Sequence, residues 1–355
     1  MLSITNCGDV YMLEIKHTLC PLCSVGCGLN VIINNGEIVG TFPYKRHPVN
    51  AGKNCLNGRK SIDCYENRFK DAIVSKSEVD IGKAIEEVSK ELNSADSSQV
   101  TIICSGNNSI EEIEAIKKFG ESKNYNIAFY ADNLKDFEDV ASYDEVAAAG
   151  KVFVIGDLLY ENPLIGRRIV HAKQNGAEIY ALGKTESSVT FNIADETSNS
   201  TVGEFLDNYQ AKIDESSVVV FNYVDSQDDL DKIEALACKS LPVFSKSNSK
   251  GALGIVEPKS LDEMLELLEN TKVLLVFNDD IADELDFDFG RISKIISFAP
   301  CSNSTTEISD IVVPIKTWLE QDGSFVNAMG DIQMFAAAVE SDVLSEIEII
   351  EKLNG

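Results

Sequence analysis

Four cysteines, Cys20, Cys23, Cys27 and Cys55, follow the spacing C-x2-C-x3-C-x27-C and are the residues best suited to chemistry in this chain. Three thiols within eight residues, with a fourth on a later segment, suit one face plus one distal corner of a cuboidal [4Fe-4S] cluster, which passes single electrons. Two other readings of the same thiols stay open at this point. Zinc also takes four thiolates, but zinc ribbons and knuckles bring them as two C-x2-C pairs, and only one such pair is present here. Structural or redox thiols are the other reading. A disulfide would imply an oxidising compartment, yet residues 1–19 hold Asp9, Glu14, Lys16 and His17, have no apolar run, and do not read as a secretion signal.

The cysteines need elements that hold them together. Pro21 sits in the first loop, and Gly26 and Gly28 bracket Cys27, where small residues let backbone N–H groups approach sulfur. Residues 29–40 alternate apolar and polar and are interrupted by Asn34-Asn35-Gly36, which predicts a β-hairpin. The hairpin leads to a loop over 44–58 that carries Cys55. Residues 13–70 are therefore expected to form a small β-rich [4Fe-4S] domain.

Strand and helix patterns alternate beyond it. Residues 82–92 have helical spacing and 100–104 read as a buried strand. Ser109 with Glu112 is a capping box for a helix through Ile110, Ile113, Ile116 and Phe119. A second run begins with the strand 151–155, closed by Gly156 and followed by Asn162-Pro163, a helix over 164–175 and a strand over 178–183 ending beside Lys184. Further strands are expected over 218–221, 241–244, 273–277, 294–298 and 311–313, with helices over 229–238 and 261–268. The Ser, Thr and Asn-rich stretch 186–202 is the best linker candidate. The predicted class is α/β: the cluster domain followed by two Rossmann-like, doubly wound parallel-sheet units over 71–200 and 201–355. Ligands of such sheets sit at the carboxyl ends of the strands, which points to the loops at 156–163 and 183–187.

The sequence around the cysteines, Cys20-Pro21-Leu22-Cys23-Ser24-Val25-Gly26-Cys27-Gly28, and the run from Arg46 to Cys55-Leu56-Asn57-Gly58 resemble the cluster domain of the molybdopterin oxidoreductases, especially archaeal-type formate dehydrogenase catalytic subunits. Near the other end, Thr305-Thr306-Glu307, Asp310 to Pro314, Glu320, Gly323 to Asn327 and Gly330 are similar to the same superfamily and, within it, to the formylmethanofuran dehydrogenases. The resemblance implies one-carbon redox chemistry (CO2 with formate or formylmethanofuran) and a molybdopterin guanine dinucleotide carrying molybdenum or tungsten. It also implies partner subunits, iron–sulfur proteins among them. On it, Gly156, Asn162, Lys184, Asn248 and Gly251 are the candidate dinucleotide residues, the last two from an Asn-x-x-Gly-Ala loop. The chain departs from the family in three places. Its middle is short and holds no cysteine between Cys104 and Cys238, where the family supplies the metal's Cys or selenocysteine ligand; Asp132 is the nearest stand-in. Gly183 or Lys184 takes the place of the acid that reads guanine, and Asn57 that of a lysine between cluster and pterin.

Composition narrows the remaining classes. A net charge of −27 over 355 residues disfavours nucleic-acid binding, because a phosphate backbone would be repelled wherever Lys or Arg does not line the approach. The cations gather in two places: Lys45, Arg46, Lys53, Arg59 and Lys60 around Cys55, and Lys151, Arg167, Arg168, Lys173 and Lys184 further on. No apolar stretch is long enough for a membrane helix, so no membrane insertion is expected, and nine cysteines without a secretion signal point to the cytoplasm. Cys104 and Cys301, each after a predicted strand, read as buried small hydrophobes. His47 reads as a loop-ordering residue and Trp318 as a core or interface anchor.

Overall fold

A computed structural model describes residues 2–6, 9–131 and 135–354. Asp132, the candidate stand-in ligand, lies outside the described residues.

Chain-local chemistry sets up the N-terminal sheet. Asn35 and Gly36 both take positive φ, 53° and 86°, which gives the turn the twist that a two-residue hairpin requires. Gly28–Asn34 and Glu37–Pro43 pair across it. Leu2–Asn6 and Asp9–Leu19 add two more antiparallel strands, so the sheet has four. The sequence pattern missed the Asp9–Leu19 strand because its charged residues mask the alternation.

Two mainly parallel sheets form the body, and their strands do not divide at residue 200. One sheet has the order Glu196–Ser198, Glu178–Leu182, Lys151–Ile155, Ser217–Phe221, Lys239–Pro242, all parallel. The other runs Pro258–Lys259, Asn126–Tyr130, Val100–Cys104, Val273–Phe277, Lys294–Ala299, Ile311–Pro314, Ala72–Val74, Ser77–Val79, with only the two pairings made by Ala72–Val74 antiparallel. The five-stranded unit is thus inserted between two halves of the eight-stranded one, in place of the expected succession of units over 71–200 and 201–355. Strand–helix alternation reads the same in either arrangement, because local pattern carries no information about which distant strand completes a sheet.

Helices cover the sheets as the capping signals predict. Ser109 accepts from Glu112 N while the Glu112 side chain accepts from Ser109 N, and Ile113, Ile116 and Phe119 of the Ile110–Lys123 helix are buried. The stretch 186–202 is built into the body and is no free linker. It contains the edge strand Glu196–Ser198, and Asp195 Oδ2 accepts from Ile179 N at 2.8 Å. Asp157 accepts from Val189 N and Thr190 N at its other end. Polar composition there serves these side-chain-to-backbone bonds. The helix expected over 229–238 is Gln227–Glu234.

Candidate functional site

The four cysteines converge on one pocket, which Leu22, Val25, Leu29, Asn54, Gly58, Asn162 and Leu164 also line. The loop holding the first three is closed by Cys20 N donating to Cys27 O at 2.8 Å. Ser24 pins it to the body twice: Ser24 N donates to Phe244 O, and Phe244 N donates back to Ser24 Oγ at 2.8 Å. Tyr143 Oη donates to Val25 O at 2.9 Å. Gly26, at φ +71°, leaves no room for a Cβ beside Gln333 and Asn327. Buried Asn50 ties the second loop to the first, accepting from Gly28 N and donating to Gly28 O and Lys53 O. His47 packs against Gly28 and beside Tyr44, which agrees with a loop-ordering role.

The sulfurs face donors. Cys20 and Cys23 accept from the backbone of Leu22 and Val25, and Cys55, which caps the Leu56–Lys60 helix, accepts from Gly58 N at 3.2 Å. Burial first, and repulsion from neighbouring thiolates after it, pushes the Cys20, Cys23 and Cys27 thiols up. Four thiolates share such a pocket only with cationic charge among them, which bound iron supplies. Among the described residues no group of three or more His, Cys, Asp or Glu is placed to hold a single metal ion. Four thiols around one pocket, three from one loop and one from a second, match the ligand set that a [4Fe-4S] cluster takes.

A second cavity, of about 500 Å³, opens beside Cys23 and is lined by Tyr130, Glu161, Asn162, Lys184, Asn222, Tyr223 and Ser245 among others. It lies where the strand order of the five-stranded sheet reverses, between Lys151–Ile155 and Ser217–Phe221, the place where open α/β sheets bind ligands. Asn162 links this cavity to the cluster pocket: its side chain hydrogen-bonds the Cys23 sulfur, and its Oδ1 accepts from Asn222 Nδ2 at 3.2 Å. Lys184 Nζ stands 4.2 Å from the centroid of the Tyr223 ring. These amides, the cation and the rings fit phosphates and a planar ring system. The wall lacks the acid that would read a guanine edge at position 184.

The five candidate dinucleotide residues separate. Asn162 and Lys184 line the cavity. Gly156, at φ +111°, ends the adjacent strand, but its open side is filled by Asn222, whose Oδ1 would stand 1.9 Å from a Cβ. Asn248 and Gly251 lie elsewhere. Asn248 is fully buried, accepts from Val326 N at 2.7 Å and donates to Asn108 O at 2.8 Å, and Gly251 makes room for that side chain. Cys104 is buried as expected, with burial pushing its thiol up to about 12. Cys301 is no isolated hydrophobe: it is disulfide-bonded to Cys64. Only the three-dimensional fold joins that pair, since 237 residues separate them.

Residues 13–67 match the molybdopterin oxidoreductase Fe4S4 domain and residues 197–348 match the molybdopterin oxidoreductase domain. The chain belongs to the molybdopterin oxidoreductase superfamily. These are the domains of a [4Fe-4S] cluster and of molybdopterin. Among curated relatives, F420-dependent formate dehydrogenase 1 subunit alpha of Methanococcus maripaludis is 30% identical over 194 residues. The match covers 48% of this chain and 28% of that relative. The corresponding alpha subunit of Methanocaldococcus jannaschii is 29% identical, also with 28% of its length covered. The chain therefore spans well under half the length of the curated relatives it matches. Among solved structures, acetylene hydratase from Pelobacter acetylenicus aligns with a TM-score of 0.64 over 95% of this chain and 68% of that one, at 11% identity. The formyltransferase/hydrolase complex from Methylorubrum extorquens, in complex with methylofuran, aligns at 0.55 over 79% of this chain and 97% of that one, again at 11% identity. At that identity the likeness is one of fold. No helix among the described residues is long and apolar enough to cross a membrane.

Proposed function

We propose that this chain is an iron–sulfur electron-transfer subunit of a cytoplasmic oxidoreductase complex acting in one-carbon metabolism, on formate or formyl groups and CO2. The observation that carries the reading is the set of four thiols on one pocket, aimed at by backbone N–H groups and by Asn162. Cys20, Cys23, Cys27 and Cys55 would hold the cluster, which supplies one-electron chemistry when bound. Asn162, Lys184 and Asn222 would bind and orient a pterin dinucleotide next to it. Residues 105–237 contain no cysteine, so a thiolate for molybdenum or tungsten is missing from the segment where the family keeps it, and this favours relay over turnover. Partner subunits, including iron–sulfur proteins, would complete the path.

Anaerobically purified protein is expected to contain about four iron and four sulfide per chain, with a broad band near ~400 nm. A low-potential donor should bleach it, while formate and formylmethanofuran give no dye reduction. Stoichiometric zinc without sulfide would overturn the cluster assignment. Substrate-dependent turnover by the chain alone, lost in Asp132→Ala, would replace the relay reading with a catalytic one.

A further inference from the structure

The eight-stranded sheet also has a point where strand order reverses, between Val100–Cys104 and Val273–Phe277. A cavity of about 230 Å³ opens there, and its walls include Asn107, Asn278, Asp279 and Asp280 from the two strand-end loops. In an open α/β sheet this is a ligand position. Three carboxylates, Glu112, Asp279 and Asp280, line it, and its one lysine, Lys316, is paired with Glu348 at 3.4 Å. Such walls repel a pyrophosphate. What they enclose instead is the Cys64–Cys301 disulfide, both cysteines half-buried and both on the cavity wall. The same cavity is also lined by Pro21 and Leu22, the two residues between the proposed cluster ligands Cys20 and Cys23.

We propose that Cys64 and Cys301 form a second redox centre, a reversible dithiol–disulfide couple that exchanges electrons with the cluster across the Pro21–Leu22 loop. The proposal rests on the electron-relay reading and gives the relay a two-electron terminus. In the reductive direction one S–S bond breaks and two S–H bonds form. The disulfide takes up two protons from the water-accessible cavity and two electrons, one at a time, which originate in an external low-potential one-electron donor. Asp279 lines the same cavity: its Oδ1 is ion-paired with Lys246 at 2.7 Å, and its buried Oδ2 has no hydrogen-bond partner among the described residues.

The surroundings argue against a mere staple. A structural crosslink is needed where little else holds two segments together. Here Phe69 N donates to Pro300 O at 2.8 Å, beside Cys301, and Arg68 pairs with the buried Glu320 carboxylate at 3.1 Å. Val74 and Ile73 pair with Ile311 and Val312 in the sheet. The segments therefore stay in place when the bond opens, and half-buried sulfurs on a cavity wall remain accessible for the change, unlike those of an enclosed structural disulfide.

The test is an anaerobic reductive titration of the cluster-loaded chain with a low-potential one-electron donor, followed by thiol alkylation and mass analysis. The unsubstituted protein should take up about three electrons, one for the cluster and two for the disulfide, and gain two alkylated thiols at positions 64 and 301. Cys301→Ser, with its ~400 nm band intact to show folding and loading, should take up about one. One electron in both proteins, or an intact 64–301 bond after the cluster has bleached, overturns the redox couple while leaving the relay reading standing. Equal thiol gain in protein stripped of iron overturns the coupling to the cluster. Failure of the cluster band to bleach is the separate result that would sink the relay reading itself.

Discussion

Each candidate cluster cysteine can be distinguished from the other cysteines by what surrounds its sulfur. Cys27 is buried and lines one pocket with the three other candidate ligand thiols, whereas Cys238 shares no such pocket. Cys27→Ser should therefore lose most of the iron and Cys238→Ser should keep it, since a hydroxyl is a poor substitute for a soft thiolate; equal iron loss on elemental analysis contradicts the ligand set. Asn162 gives a finer reading. Its hydrogen bond withdraws electron density from the Cys23 sulfur, so Asn162→Ala should make the cluster potential more negative in a spectroscopic redox titration, with iron content unchanged. A third residue, Glu346, bears on pH. Burial, reinforced by the Glu112 charge, holds its carboxyl well above the usual 4.5, so the folded chain keeps a proton that the unfolded chain releases near that value. Its contribution to stability is full below pH 4.5 and is lost as pH rises towards the folded value. Glu346→Gln keeps an acceptor for Asn108 Nδ2 and removes the titration, so its melting temperature should fall less than that of the unsubstituted protein between about pH 5 and pH 8. Parallel melting curves across that range would contradict this.

At the scale of elements, Asn248 shows how a residue that resembles a ligand can serve the scaffold. Its side chain joins the Gly323–Val326 strand to the start of the Ile110–Lys123 helix through Val326 N and Asn108 O. Asn248→Ala would take this partner from the part-buried Val326 N–H and from the buried Asn108 carbonyl, and a buried group left unpaired costs about 1–3 kcal/mol. The urea midpoint should drop accordingly while the ~400 nm cluster band persists in the folded protein. An unchanged midpoint with altered pterin content would restore the ligand role. The same contrast explains what the sequence could reveal. The cluster spacing, the Asn35-Gly36 turn and the Ser109 capping box are local codes, in which residue types a few positions apart determine the geometry. The insertion of one sheet into another, the pairing of Cys64 with Cys301 and the bond from Asn162 to Cys23 join positions more than a hundred residues apart, and no local spacing records them. Glu196–Ser198 lay between the two cases: its polar composition suggested a linker because an edge strand held by Asp195 and by a parallel neighbour needs few apolar residues.

Taken whole, the molecule is strongly acidic except along the segment that carries Cys55. No acidic residue occurs between Glu37 and Asp63, while Lys45, Arg46, Lys53, Arg59 and Lys60 do, all exposed and none in an ion pair among the described residues. Cys55 lies within this stretch, half-buried, next to Leu56 at 66% exposure. A chain of net charge −27 repels an acidic carrier at long range over most of its surface, so this rim is the approach that remains open to one. Electron exchange with an acidic one-electron carrier should therefore be fast at low salt and slow steeply as ionic strength shortens the Debye length from about 30 Å at 0.01 M to about 3 Å at 1 M. Reversing three charges of the rim, Lys53→Glu, Arg59→Glu and Lys60→Glu together, should cut the second-order rate by roughly tenfold or more at low salt and flatten its salt dependence. The same number of reversals at exposed Lys83, Lys90 and Lys118, on helices of the body, changes net charge equally but leaves the rim intact. If stopped-flow rates fall by the same factor in both triple variants, overall charge alone governs the encounter and the rim steers nothing; a fall confined to the first variant locates electron entry beside Cys55.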